Sequence, residues 1–251
     1  MILSTDNPYY KFSLLDKIND PSRYTNKVVT LFVLKGRLSL LIENEIIDIN
    51  ELEGIVLSQK LIIDQIQTSD GSKILEVVSD KKNENLIEKI DNRNQIEENL
   101  IKKYKILRNH KKVEKPWGHE LWLIWLKEYH VLKKIYMKKG FKCSLQFHEK
   151  KYETNFLISG RAKILKNFHI DKNSSDVQAQ ELVKDIDLIK EYSQDVNAPY
   201  NFTNVPGEVH RVFSLENYTA YEVSTPELDD VIRIQDDSSR KSGRILSEHK
   251  K

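Results

Sequence analysis

Gln146, His148 and Glu153 fall within one stretch, GFKCSLQFHEKKYETNFLISG, framed by Gly140 and Gly160. Side chains two apart on a strand leave from the same face, so Gln146 and His148 point together. Glu153 lies across a short turn on the following strand, where it can meet them. A fourth group, His210 in VPGEVHRVF, comes from a strand far along the chain. Two imidazoles, one carboxylate and one amide oxygen make a mixed N/O set suited to zinc, manganese, iron, cobalt or nickel, with positions left for water or substrate. The competing reading is the polar face of a strand. Four such residues together favour the metal site, whereas His119, His130 and His169, each alone, read as packing or surface residues. Cys143 has the opposite strand parity to His148 and reads as packing, as do Trp117, Trp122 and Trp125.

The elements that must position these groups are strands. Residues 27 to 79 contain the β-rich runs KVVTLFVL, RLSLLIE, EIIDI, GIVL, KLIIDQI and KILEVV, separated by the turn signals Lys35-Gly36, Glu43-Asn44 and Ser69-Asp70-Gly71. That spacing predicts an antiparallel sandwich or barrel. After Val113 the texture returns in HELWLIWL, YHVLKKIYM, KCSLQFH, ETNFLIS, RAKILKNF, YNFTNV, VHRVFSL, YTAYEVS and VIRIQD, with a polar insertion between Asn167 and Pro199 that predicts a loop or short helix. Residues 80 to 110 are highly charged, lack Gly and Pro, and place Leu86, Ile87, Ile90, Leu100, Ile101 and Tyr104 mostly at helical separations, which predicts a helical connector. The β regions look like two copies. Aligning KILEVVSD with TAYEVSTP superposes Glu76 on Glu222 and sets Asp64 opposite His210. Aligning FVLKG with FLISG sets Val29 opposite Glu153 and Tyr24 opposite His148. The first copy thus lacks the coordinating side chains.

Composition narrows the function classes. The chain has 251 residues, enough for a buried core in one large all-β domain or two small ones. Lys plus Arg (40) nearly cancels Asp plus Glu (38), leaving a formal charge of +2 and no general reason to expect nucleic acid or an anionic membrane as partner. A single cysteine excludes an internal disulfide framework and fits a cytoplasmic setting. The opening MILSTDNPYYKF has no basic region followed by an apolar run, and no apolar stretch of membrane-spanning length follows.

The pattern Gly, x5, Gln, x, His, x4, Glu, x6, Gly, followed by Pro, Gly, x, x, His, resembles the two motifs of the cupin superfamily, with Gln146 in place of the first histidine. Val113-Glu114-Lys115-Pro116-Trp117-Gly118, the Ser144-Leu145-Gln146 core with His148 and Glu153, and LDDVIRIQDDSSR (228 to 240) resemble three ordered blocks of the cupin domain of type II mannose-6-phosphate isomerases. The resemblance implies an all-β bicupin: a degenerate barrel without metal over 1–80, a helical connector over 81–112, and a metal-binding cupin over 113–251. It implies a divalent cation, zinc first, on Gln146, His148, Glu153 and His210. The activity implied is isomerisation of a sugar phosphate, with Lys151 and Arg233 at matched family positions as candidate catalytic groups and Lys134 and Arg211 as candidate substrate contacts. No nucleic acid or membrane partner is implied, and a homodimer is, cupins commonly being dimers. Two departures stand out. Lys151 replaces an arginine and loses its planar fork, and Ser238-Ser239-Arg240 replaces the family's YGR. They leave a second reading, a non-catalytic or regulatory sugar-binding cupin that keeps the metal site.

Overall fold

The computed structural model describes residues 3–79, 104–170, 186–238, 240, 243 and 244. The chain divides into two compact units, Met1–Lys111 with Leu123–Leu132, and Lys112–Trp122 with Lys133–Lys251.

The first unit contains β1 (Leu3–Asp6), β2 (Lys11–Leu15), β3 (Val28–Lys35), β4 (Leu38–Ile42), β5 (Glu45–Ile49), β6 (Gly54–Leu57), β7 (Gln65–Thr68), β8 (Lys73–Ser79) and β9 (Tyr104–Leu107). They form antiparallel sheets ordered β1-β2-β8-β3-β6-β9 and β5-β4-β7. Alternation sets the burial: Leu38, Leu40 and Ile42 are buried while Ser39 and Leu41 between them are less so. The β4-β5 hairpin turns on Glu43 and Asn44, both with positive φ, the geometry that matches the strands' right-handed twist. At Gly36, also at positive φ, a Cβ would sit 2.4 Å from Ser72 Oγ, so only glycine closes that turn. Leu31, Val33, Leu40, Ile49, Ile55 and Ile74 are among the residues of its core.

The second unit is built from β10 (Lys111–Lys115), β11 (Gly118–Leu126), β12 (His130–Met137), β13 (Leu145–Phe147), β14 (Glu153–Ser159), β15 (Arg161–His169), β16 (Ser193–Asn197), β17 (Tyr200–Asn204), β18 (Glu208–Ser214), β19 (Tyr218–Ser224), β20 (Ile232–Gln235) and β21 (Gly243–Arg244), the inner ends of β11 and β12 being counted with the first unit. Its sheets run β10-β11-β12-β19-β14-β17 and β16-β15-β18-β13-β20-β21. Two apolar clusters fill it, one around Trp117, Met137, Leu157, Phe202 and Tyr218, the other around Leu145, Phe147, Leu165 and Val209.

The two units repeat one ladder. Leu31 faces Glu76 and Val29 faces Val78 in the first; Asn155 faces Glu222 and Glu153 faces Ser224 in the second. In the opposite sheets, Leu38 and Leu40 face Thr68 and Ile66, where Ala162 and Ile164 face Ser214 and Val212. The alignment of Val29 with Glu153 and Glu76 with Glu222 is therefore a register, held across both sheets. Several features depart from the sequence reading. Strands β1 and β2 lie ahead of the first expected run. KLIIDQI is strand only from Gln65. The expected connector, 81–112, lies outside the described residues up to 103, and Tyr104–Leu107 is a strand on β6 instead of a helix end, because Leu57 pairs with Tyr104 and Gly54 with Leu107. Of the insertion after Asn167, Ile186–Glu191 is helix and Ser193–Asn197 is strand, and 171–185 lies outside the described residues. No described helix is long and apolar enough to cross a membrane.

His130 is fully buried in the first unit, with Thr30 Oγ1 2.8 Å from Nε2 and Ser79 Oγ 3.0 Å from Nδ1. Two hydroxyls can each donate or accept, so they satisfy the neutral ring, and burial pushes its pKa down to about 3. The folded state refuses a proton that the unfolded chain accepts below pH ~6.5. The contribution is complete above that pH and is lost as the pH falls towards 3, at about 1.4 kcal/mol per pH unit. Denaturant unfolding followed between pH 7 and 4 should show the slope falling by about one proton in His130→Gln.

Candidate metal centre

The register that builds the second barrel also gathers the predicted ligands. Gln146 on β13 faces His210 on β18 and Arg233 on β20, so the three side chains form one row on one face of the sheet. His148 follows at the end of β13, and Glu153 opens β14 on the other sheet. His148, Glu153 and His210 are all buried, and one ligand atom from each lies within 4.8 Å of the others. Glu153 Oε2 is 3.4 Å from His148 Nε2, and the two imidazole rings sit 5.0 Å apart.

Backbone carbonyls fix which nitrogen each ring offers. His148 donates Nδ1–H to the carbonyl of Asp230, and His210 donates Nδ1–H to the carbonyl of Glu208 at 3.0 Å. Both Nε2 lone pairs therefore point into the site, as a metal requires. Asp230 does more: its carboxylate accepts the backbone N–H groups of Glu149, Lys150 and Lys151, at 3.2, 2.6 and 3.0 Å, and so shapes the turn between the two ligand-bearing strands. Gln146 accepts from Ser144 Oγ at 2.7 Å through Oε1 and turns Nε2 toward His210 Nε2 at 3.4 Å. An oxygen ligand there needs the amide turned over. Ser144 tolerates that, because its hydroxyl can accept as well as donate.

Glu153 is the most heavily bonded ligand. Its Oε2 receives Lys151 Nζ at 2.6 Å, and its Oε1 receives Asn155 Nδ2 and Asn204 Nδ2 at 3.1 and 3.2 Å. Burial alone would raise its pKa, but interactions led by the Lys151 charge outweigh burial and hold the carboxyl well below its usual range. Burial likewise lowers His210 to about 4 against the pull of Glu153, so the ring is neutral at pH 7 and free to donate a lone pair. Lys151 shows the reverse balance: burial opposes its charge, yet Glu153 and Glu222 win, and the ammonium stays protonated above the ordinary lysine range. Glu222 Oε1 is 3.4 Å from Lys151 Nζ and 3.8 Å from Lys133 Nζ. Burial, then Glu153, raise the Glu222 carboxyl. Lys133 continues the chain of alternating charge to Glu120, at 3.6 Å, and Glu120 to Lys115, at 3.5 Å.

Not every expected residue reaches this place. Lys134 follows Lys133 on β12 and leaves from the other face, where its charge acts on His119; of the two, Lys133 lines the cavity. Arg211 similarly turns away from His210. It donates to the carbonyl of Cys143 at 2.8 Å and to Gln235 Oε1 at 3.2 Å and pairs with Asp237. Arg233 is buried beside Gln146, outside the cavity lining. Asn155, Asn204, Asp230, Lys133 and Glu120 were missed in the sequence, since no spacing rule singles out a residue that acts by holding another. Glu222 was visible only through its alignment with Glu76.

Gln146, His148, Lys151, Glu153, His210 and Glu222 line one cavity that opens to solvent. Its far side is apolar, with Trp117, Ile135, Met137 and Val212. The donor set fits a divalent cation. Buried His148 Nε2 has no hydrogen-bond partner among the described residues, a cost of about 1–3 kcal/mol that a coordinated cation removes. Replacing Asp230 with Ala leaves the three backbone donors of 149–151 unpaired and loosens His148. Metal titration should show affinity lowered about 10–100-fold in a barrel that still folds.

The family model described as mannose-6-phosphate isomerase C-terminal matches residues 102–187, roughly a third of the chain, including Gln146, His148, Lys151 and Glu153 but not His210 or Arg233. No curated protein matches the sequence. Similar solved structures include Bacillus subtilis oxalate decarboxylase, studied for its Mn(II) centres, with TM-score 0.54 and 12% identity over 90% of this chain and 71% of that one. AerE from Microcystis aeruginosa has TM-score 0.51 and 9% identity over 89% of this chain and 95% of that one. At such identities the likeness is one of fold. With one ladder register repeated in two barrels and a His/Glu cluster in the second, the chain has a bicupin fold, and its residues 102–187 resemble the C-terminal domain of the mannose-6-phosphate isomerases.

Proposed function

We propose that the second barrel holds a divalent cation, zinc in the first instance, on Gln146, His148, Glu153 and His210. In this reading it interconverts an aldose and a ketose phosphate of the mannose 6-phosphate type, in nucleotide-sugar or polysaccharide metabolism. The observation that carries it is the buried His148, Glu153 and His210 trio in a cavity, its first two members inside the segment that matches the isomerase family.

Aldose-ketose isomerisation moves a proton between adjacent carbons while a carbonyl and a hydroxyl exchange places. A bound cation would supply Lewis-acid polarisation of those oxygens. The chain's own residues must do the rest. Lys151, kept protonated by Glu153 and Glu222, serves as a donor to a substrate oxygen and is not the base. Glu222 lines the same cavity with a carboxyl pKa raised by burial and then by Glu153, which suits a group that takes up and returns a proton. The apolar wall excludes water and strengthens each of these interactions.

A second reading, a sugar-binding cupin without turnover, draws on the same lysine. Its Nζ lies 2.6 Å from Glu153 and competes with a cation for that carboxylate. The metal-loaded protein should interconvert fructose 6-phosphate and mannose 6-phosphate in a coupled assay. Failure with zinc, manganese, iron, cobalt and nickel, alongside retained sugar-phosphate binding, selects the second reading. His148→Ala should lose both turnover and stoichiometric metal by elemental analysis, and metal retained in that variant means the ligand set is wrong.

A further inference from the structure

Among the described residues the second barrel buries further polar atoms without a hydrogen-bond partner, and two of them belong to residues that line the cavity. The Tyr218 hydroxyl and Asn204 Oδ1 both lie in the cavity wall, each residue is 1% exposed, and neither atom has a hydrogen-bond partner among the described residues. Asn204 is oriented, because its Nδ2 is committed to Glu153 Oε1, which can only accept. The Asn204 carbonyl is thereby left as an acceptor. Tyr218 stands four residues before Glu222 on β19, on the same face of the strand. Its ring packs with Trp117, Met137 and Ala220 in the apolar cluster. Burial pushes its phenol well above its usual pKa, so the hydroxyl keeps its proton. The cavity thus carries, beyond the ligand trio, one neutral donor at an apolar wall and one neutral acceptor beside the metal carboxylate.

We infer that Tyr218 is a ligand-binding residue: its hydroxyl donates a hydrogen bond to an uncharged oxygen of a polyhydroxylated ligand, a sugar or the sugar end of a sugar phosphate, bound against the His148, Glu153 and His210 trio. An ionised phosphate does not suit this end, because Trp117, Met137 and Ile135 would strip its water and the one hydroxyl could not replace it. A ring or open chain with alternating C–H and O–H groups suits it well, with Asn204 Oδ1 accepting from a second hydroxyl. The inference rests on the sugar-phosphate reading for its ligand class but not on any turnover.

Tyr218→Phe is the test, because it removes one oxygen and keeps the packing. An unpartnered buried hydroxyl contributes nothing to the ligand-free fold, so the variant should melt at or above the wild type and hold the same metal. Its Kd for mannose 6-phosphate by calorimetry should rise about tenfold. Unchanged Kd overturns the inference, as does a ligand-free variant melting several degrees lower, which would mean the hydroxyl is already satisfied. Failure of the wild type to bind mannose 6-phosphate or fructose 6-phosphate overturns the ligand class. A wild type that binds without isomerising, with affinity dependent on Tyr218, removes the proposed reaction and keeps this inference. Turnover with a Kd indifferent to Tyr218→Phe does the opposite.

Discussion

A buried carboxylate has to be paired, and in each barrel that requirement falls on the same strand position. Glu76 and Glu222 occupy equivalent ladder sites, both buried. An isolated charge there would cost several kcal/mol. In the first barrel Glu76 is satisfied from within, by Arg23 Nη2 at 2.8 Å and Tyr24 OH at 2.6 Å. Tyr24 is the residue aligned with His148, so the position that offers a lone pair in one copy donates a hydrogen bond to the glutamate in the other. Val29, fully buried, stands where Glu153 does. The first barrel closes its charge on itself.

The second barrel leaves its charge problem open. It adds a second glutamate, Glu153, within reach of the first, and answers the pair with one lysine, Lys151, bridging both. Lys133 and Glu120 extend the alternation along the wall. Two carboxylates sharing a cation in a low-dielectric pocket pull their pKa values apart, Glu153 down and Glu222 up. One is thereby kept as an anion fit to ligate, the other as a group able to carry a proton. The His210 imidazole beside them stays neutral for the same reason of burial.

The buried cluster of His148, Glu153 and His210 was legible because metal chemistry restricts residue types and because strand parity and turn length restrict spacing. Gln146, His148 and Glu153 satisfy both within one hairpin, and His210 comes from a distant strand, with the second motif of the resemblance agreeing on it. The duplication was legible for a related reason, since a ladder register forces equal spacing in both copies. Lys134 and Arg211 illustrate what was not. Both are cations adjacent to cavity residues, and adjacency on a strand means the opposite face, so charge alone chose the wrong neighbour of Lys133 and of His210. Asp230 was in plain view within a quoted block, yet its role is to accept three backbone donors from residues 149 to 151, a relation that exists only after folding.

Lys151 gathers these threads. Placed in the sequence it stands for a missing arginine, and its lost bidentate fork casts doubt on phosphate recognition. Placed in the barrel it is buried 2.6 Å from Glu153, and an ammonium in that position cannot reach out to a phosphate without abandoning two carboxylates. A guanidinium would span the same pair with more donors. The smaller, rotatable ammonium instead can give up one carboxylate and keep the other. A cation arriving on Glu153 would compete with Lys151 for that carboxylate and shift the lysine toward Glu222, whose carboxyl is already raised. A cation bound there would be coupled to the protons of the cavity through this side chain, and an arginine at the same place would couple them less.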